Sequence, residues 1–403
     1  MVRINHHKIL STKEIQAMSK GNTVLGNLLS HLSRSDFEKA VNQYAGDKKT
    51  RVLSSYAMLK TLLYGQAIKA FSVREIESSL SANAKKLYHC GMSPVKKSTL
   101  CDAMEKRDHR IFQSAFESLV SKAKLIASGR GRRFKNPLKV IDASTIELCL
   151  ARFDWAKFRT TKGAVKLHVA MDGDGGFPEQ VRLTNGNVHE VNELDNFVLN
   201  SQDLVVFDRG YIDFKRLQKI DVAESTFVTR MKENCAYQSL EISVFPKGSG
   251  VRHDCIIQLC SEKGRKDYPK ELRQIQYHDR EYQRDYTFIT NNFELSGQEI
   301  ADIYKARWQV ELFFKWIKQN LSIKTFWGTS SNAVFTQIWV ALIMFMLLWL
   351  QKNIENVSGT IQRILQLLKV CILGSGNIVA LFSPPPGPVI PDTRQLTLGG
   401  LKF

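Results

Sequence analysis

Apolar positions in the first third of the chain recur at helical spacing from Thr23 to about Ser128, with breaks at Gly46-Asp47, Gly91 and Pro94. Two short segments inside this stretch begin with capping residues. Ser72 stands three residues before Glu75, the spacing of a capping box, and Ser98-Thr99 precede Leu100. Short helices, tight turns and basic residues suit a helix-turn-helix arrangement, although any helical domain carries such starts. After a basic connector, 128–135, the period changes to two. Residues 138–150, 164–171 and 177–183 predict three hairpin-linked strands, with a glycine-rich turn at Asp172-Gly-Asp-Gly-Gly176. A helix over 190–199, a buried strand over 204–207, a helix over 211–220 and a strand over 227–231 follow. Segment 233–296 interrupts this alternation with β-like stretches at 254–259, 271–277 and 284–290. From Ser296 the helical period returns and runs to about Leu373. The proline-rich stretch from Ser383 excludes regular structure and is expected to be flexible.

The apolar run 338–350 falls short of the roughly 20 residues that a membrane span requires, and predicts a buried core helix. Met1–Lys8 has no apolar stretch of the kind a signal peptide carries. No membrane association is expected. Across 403 residues, 43% hydrophobic content suffices for a substantial core, which excludes wholesale disorder and predicts two or three domains. The net charge of +18 is unevenly spread. Residues 1–135 hold 25 Lys and Arg against 10 Asp and Glu, and the rest of the chain is nearly balanced, with 32 against 29. The front third is therefore a basic module, suited to a polyanion such as nucleic acid. The seven cysteines (Cys90, Cys101, Cys149, Cys235, Cys255, Cys260 and Cys371) are odd in number and show no CxxC pair. That argues against a disulfide framework or zinc knuckle and for reduced, cytoplasmic thiols.

Three acids carry the candidate chemistry. Asp142 lies within Val140-Ile-Asp-Ala-Ser-Thr145, in a strand that otherwise reads as buried, and Asp208 ends the apolar run Leu204-Val-Val-Phe-Asp208. A carboxylate in such a place is costly unless paired or bound to metal. Each alone is equally a capping or turn aspartate. Glu311 lies on a predicted helix with Tyr304, Arg307 and Lys318. At about 100° per residue these four fall within an arc of about 60°, beside an apolar stripe of Ile303, Ala306, Val310, Phe313, Phe314 and Ile317. An ordinary amphipathic helix with charge pairs gives the same pattern. Three oxygen ligands from two strands and a helix would suit Mg²⁺ or Mn²⁺ rather than zinc. Arg209, directly after Asp208, is a candidate phosphate contact. His168 and His189 are weighed as a base or ligands, but strand and turn histidines are usually just hydrogen-bonded. Trp316, Trp327, Trp339 and Trp349 are read as core.

These residues resemble a known family. Tyr304, Arg307, Glu311 and Lys318 reproduce the Y-x2-R-x3-E-x6-K signature of a branch of bacterial insertion-sequence transposases of the DDE type. Asp208-Arg-Gly-Tyr211 is similar to that family's second-aspartate block, and Val140-Ile-Asp-Ala-Ser-Thr145 to its first. Thr184-Asn-Gly-Asn-Val-His-Glu190 and Trp327-Gly-Thr-Ser-Ser-Asn-Ala333 also resemble it. The resemblance implies an α/β, ribonuclease H-like catalytic core over 136–232 and 297–382, with a β-rich insertion over 233–296. It also implies a helical DNA-binding domain over 1–130 and a flexible tail over 383–403. Asp142, Asp208 and Glu311 would be the catalytic residues, holding two divalent metal ions, Mg²⁺ or Mn²⁺. Tyr304, Arg307, Lys318 and Arg209 would contact DNA. The implied partners are the transposon's terminal inverted repeats, target DNA and a second copy of the chain. A metal-dependent nuclease or resolvase on the same fold, and a non-catalytic DNA-binding derivative, are the alternatives. Some relatives stack a tryptophan of the insertion on a base flipped from the terminal DNA. Here no tryptophan lies between Asp208 and Trp308. Tyr237, Tyr268, Tyr277, Tyr282 or Tyr286 would have to serve, with Lys247, Arg252, Lys263, Arg265 and Lys266 holding the bent backbone.

Overall fold

Seven helices lead the chain in the computed structural model, which describes residues 23–160, 162–242 and 250–382. They are α1 (Val24–Leu29), α2 (Arg34–Gln43), α3 (Ser55–Ile68), α4 (Val73–Ala82), α5 (Ala84–Leu87), α6 (Lys97–Lys106) and α7 (Arg110–Ser128). Met1–Lys8, Lys247 and the proline-rich tail lie outside the described residues. Serine hydroxyls set the starts of several of these helices, accepting from the third backbone N–H beyond at Ser33, Ser54 and Ser72. At α4, Glu75 turns back to accept from the N–H of Phe71, a capping box shifted by one residue. Helices α4 and α6 pack on each other.

A ten-stranded sheet follows, built from β1 (Leu138–Leu148), β2 (Lys157–Arg159), β3 (Lys162–Asp172), β4 (Phe177–Asn185), β5 (Leu204–Phe207), β6 (Thr226–Arg230), β7 (Tyr237–Ile242), β8 (Val251–Leu259), β9 (Leu272–Asp279) and β10 (Arg284–Thr290). The strand order is β2-β3-β1-β5-β6-β10-β9-β8-β7, with β4 also paired to β3. Strands β1, β5 and β6 run parallel, and all other pairs are antiparallel. The stretch over 233–296 is indeed rich in strands, but it continues the central sheet through the β6–β10 pairing. Both faces of the sheet are covered. Val140, Val206 and Val228 join one core, and Ile141, Val205, Phe207 and Phe227 join the other. Continuous apolar strands are what such two-sided burial demands.

Two predicted helices between the strands are shorter or later than expected. Over 190–199 there is only α8 (Glu190–Glu193), continued by a 3-10 turn, Leu194–Asn196. Glu193 bonds Arg182 and Asn196, and Phe197 is already extended. Over 211–220 a 3-10 turn, Arg209–Tyr211, precedes α9 (Phe214–Val222), because Asp213 caps the helix by accepting from the N–H of Arg216. One short helix, α10 (Glu262–Asp267), lies between β8 and β9.

The chain then forms α11 (Gly297–Ala306), α12 (Trp308–Asn320), α13 (Ser331–Ile354) and α14 (Ile361–Cys371). Ser296 and Glu299 make a reciprocal capping box at α11. The single helix assumed across 304–318 is divided at Arg307, which keeps helical angles (φ −53, ψ −30) but joins neither helix. The apolar stripe from Ile303 to Ile317 is buried as predicted. Helix α13 is the one helix among the described residues long and apolar enough to cross a membrane, and 94% of its most apolar window is buried inside the protein. Apolar on all sides, it requires cover on all sides. Helices α1, α3, α6 and α7 supply that cover together with β4 and α14. Trp327, Trp339 and Trp349 are buried as expected, and Trp316 packs edge-on against Phe345.

Candidate active site

Parallel pairing of β1 with β5 sets Ile141 opposite Phe207, so the next residues, Asp142 and Asp208, stand side by side where β5 ends. Each lies two residues beyond a valine of the same core, Val140 or Val206, and so faces the side on which α12 packs. Ligand sites in such sheets gather at the carboxyl ends of parallel strands.

Helices α11 and α12 bring the third acid. The Arg307 guanidinium donates to Glu311 Oε1 at 2.5 Å and to Asp142 Oδ2 at 3.3 Å, joining the strand acid to the helix acid. The Tyr304 hydroxyl donates to Asp208 Oδ1 at 3.4 Å, and the Arg307 guanidinium lies 5.7 Å from the Tyr304 ring. Lys318 Nζ donates to Ser144 Oγ at 2.6 Å and to the Thr145 carbonyl at 2.9 Å, pinning α12 to β1. Asp142, Asp208, Glu311, Tyr304, Arg307 and Lys318 are thus gathered on one patch. Arg209 is the exception: it is exposed at the rim, 3.4 Å from Glu233.

Burial pushes the Asp142 carboxyl up to about 6. The Ala143 N–H and Arg307 pull it back down, while Glu190 and Glu311 push it further up. Burial also raises the Tyr304 hydroxyl, to about 12, and lowers the Lys318 ammonium. Among the described residues no group of three or more His, Cys, Asp or Glu side chains is arranged to hold a metal ion. The guanidinium of Arg307 lies between Asp142 and Glu311. The donor chemistry nonetheless fits a hard divalent cation, because the acids offer oxygen only and a buried acid group needs positive charge.

Two participants went unread in the sequence. Glu190 appeared only as the last residue of a resembling block, yet it bears electrostatically on Asp142 and pairs with Lys166 at 3.4 Å. Tyr211 is buried, and its hydroxyl has no hydrogen-bond partner. Its position within the Asp208 block was the only available signal. His168 is fully buried and its Nε2 bonds Thr184 Oγ1 at 2.8 Å, so it is a hydrogen-bonded strand histidine; burial pushes it down to about 4. His189 is exposed at the start of α8.

A cavity of about 830 Å³ opens beside Arg307 between the β9–β10 hairpin and helices α11 and α12. Tyr277, Tyr282, Tyr286, Tyr304 and Trp308 line it. Tyr282 and Trp308 are exposed, while Tyr286 stacks on Phe288 at 5.8 Å. Tyr268, by contrast, is buried edge-on against Phe227 and is a core residue. Trp308 was not foreseen as a cavity aromatic.

The family described as Transposase DDE domain matches residues 133–347, more than half of the chain, and a domain of unknown function matches residues 20–93. The chain is 35% identical to a probable transposase for insertion sequence element IS5377 of Geobacillus stearothermophilus over 57% of this chain and 61% of that protein. It is 31% identical to the putative transposase y4zB of Sinorhizobium fredii over 73% of this chain and 82% of that one. A putative transposase for insertion sequence element IS4SA of Synechocystis is 25% identical over the same shares. Among solved structures, a piggyBac transposase synaptic complex with hairpin DNA matches with a TM-score of 0.45 at 11% identity, covering 88% of this chain and 81% of that one. The chain belongs to the DDE transposase family.

Proposed function

We propose that the protein is a DNA transposase of the YREK branch that cleaves at the inverted repeats of an insertion sequence and joins the ends to target DNA. Asp142, Asp208 and Glu311 are its catalytic carboxylates. The observation that carries this reading is the placement of the two aspartates side by side on neighbouring parallel strands, Asp142 within β1 and Asp208 just past the end of β5, with Glu311 tied to Asp142 through Arg307. The sheet order around β1, β3, β4, β5 and β6 supports a ribonuclease H-like core. Members of this family generally use divalent metals. The three acids would hold two such ions, Mg²⁺ or Mn²⁺, which stabilise charge on the attacking and leaving oxygens of phosphoryl transfer. The protein's own groups hold the acids in place. Tyr304 orients Asp208, Arg307 neutralises Asp142 and Glu311, and Lys318 fixes α12 on β1. When DNA enters, Arg307, Lys318 and Tyr304 offer donors to its phosphates, with Arg209 at the rim. Residues 1–130 would bind the terminal repeats, and the two ends of the element would be held by two copies of the chain.

Asp142→Ala, Asp208→Ala and Glu311→Ala are each expected to abolish Mg²⁺-dependent cleavage of end DNA while end binding survives. Near wild-type cleavage by any one of them removes that residue from the assignment. Joined products in a strand-transfer assay distinguish a transposase from a nuclease, which stops at cut ends.

The aromatic cavity favours a second, added reading: that it accepts a base drawn out of the terminal DNA. Base–aromatic stacking contributes about 1–3 kcal/mol per base. That is enough to offset much of the cost of extruding one, a few kcal/mol.

A further inference from the structure

A fourth acid, Glu190, bears electrostatically on Asp142 and, together with Asp142 and Asp208, on the Tyr211 hydroxyl, and the proposed mechanism does not use it. Glu190 opens α8, and α8 packs against the 3-10 turn Arg209–Tyr211 that directly follows Asp208. Lys166 fixes this corner from β3: its ammonium donates to the Val188 carbonyl at 2.9 Å and pairs with Glu190 at 3.4 Å. The Glu190 side chain is still partly open to solvent, at 38% exposure. It is therefore not consumed by a closed structural ion pair.

A second observation points into the same corner. Tyr211 is 1% exposed and its hydroxyl finds no hydrogen-bond partner. A buried hydroxyl left unpaired is costly. Besides burial, the groups acting on this hydroxyl are all acids: Asp142, Glu190, Asp208 and Glu193. It is a donor set among carboxylates, where an ion-bound water or a rotated carboxylate would satisfy it.

We infer that Glu190 is a fourth carboxylate of the divalent-ion site, acting on the Asp142 side, and that the buried Tyr211 hydroxyl is a positioning group for it. This inference rests on the proposed metal-dependent reading of Asp142 and Asp208. The two structural cations divide the acids between them: Arg307 serves Asp142 and Glu311, and Lys166 serves Glu190. Glu190 adds negative charge where Arg307 departs towards DNA, and so favours a cation beside Asp142.

The test is Mn²⁺ binding to the full-length protein by electron paramagnetic resonance, without DNA, in Glu190→Gln, Tyr211→Phe and Asp208→Asn. Glu190→Gln is expected to weaken Mn²⁺ binding about tenfold, the scale seen when a group supporting a metal site is lost. It should also raise the Mg²⁺ concentration for half-maximal cleavage by a similar factor, with end-DNA affinity unchanged. Tyr211→Phe should move both quantities in the same direction by less. Glu190→Asp, which keeps the charge but shortens the reach, should lose Mn²⁺ affinity as well and covers the case in which the glutamine variant does not fold. If Asp208→Asn loses Mn²⁺ and Glu190→Gln binds it within twofold of wild type, the inference is overturned and the triad reading stands. If Asp208→Asn also binds normally, the triad reading itself falls.

Discussion

Arg307 has a dual position, between two acids and beside the aromatic cavity. Its guanidinium occupies carboxylate oxygens that a divalent ion would take. Arg307→Ala is therefore expected to leave Mn²⁺ affinity equal to or above wild type while cleavage falls by about a hundredfold, the scale of removing one donor to a developing charge. Lower Mn²⁺ affinity would mean that the arginine supports the acids instead. Two buried groups nearby give opposite pH signatures in the metal-free protein. Burial holds His168 at about 4, below its ordinary 6.5. Its contribution to stability is complete above 6.5 and is lost as pH falls through 4, on the order of 3 kcal/mol in all. Burial holds Asp142 at about 6, above its ordinary 3.8, so its contribution is complete below 3.8 and is lost as pH rises through 6. In denaturant titrations, His168→Gln should gain on wild type as pH is lowered from 6.5 to 4, and Asp142→Asn should gain as pH is raised from 4 to 6. A pH-independent difference in either variant contradicts the assigned burial effect.

Helices α11 and α12 show how an element boundary shapes the site. On either side of the break at Arg307, Tyr304 bonds Asp208 just beyond β5, while Arg307 itself bonds Asp142 on β1 and Glu311 on α12. The wheel drawn from spacing grouped the right residues because both segments remain close to helical angles. The helices expected over 190–199 and 211–220 instead give way to 3-10 turns at Leu194–Asn196 and Arg209–Tyr211, where side-chain bonds of Glu193 and the Asp213 cap outweigh helical period. The aromatic cavity carries a prediction of its own. Tyr282→Ala, Tyr286→Ala and Trp308→Ala should deplete hairpin-ended products of labelled end DNA on denaturing gels. Among these, Tyr282 and Trp308 are exposed and should leave the melting temperature unchanged. Tyr268→Ala should instead cost about 3–5 kcal/mol of stability, as large-to-small core changes do. Hairpins absent from the wild type, or untouched in all three cavity variants, would sink the base-pocket reading.

Across the whole molecule, the basic front third and the catalytic sheet are joined through α13. Phe116 of α7 packs on Trp339, and α3 and α6 also rest on this helix. A fragment ending at 130 would expose that apolar surface, so it is expected to aggregate or unfold rather than bind DNA as a free domain; a cooperative, monomeric fragment would show otherwise. DNA binding is better tested on the full chain. Replacing the exposed Lys85, Lys86, Lys96 and Lys97 with alanine should weaken end binding and reduce the log–log salt slope by about 0.9 for each phosphate no longer neutralised. An unchanged slope would place the DNA path elsewhere on the surface.

Local period, capping residues and the cost of a charge in an apolar strand are properties of a short stretch of chain. The sequence by itself therefore determined eight of the ten strands, though not the short β2 or β7, together with the buried helix over 338–350 and the unusual placement of three acids. Tertiary structure decided everything that depends on which distant stretches meet. Pairing of β6 with β10 made the insertion part of the central sheet, packing of α8 on the Arg209–Tyr211 turn set Glu190 near Tyr211 and the Asp208 block, and the meeting of the β9–β10 hairpin with α11 and α12 formed a cavity lined by Trp308. Glu190 lies 48 residues from Asp142 along the chain, a separation that no local period spans. Only sheet register and helix packing bring them together.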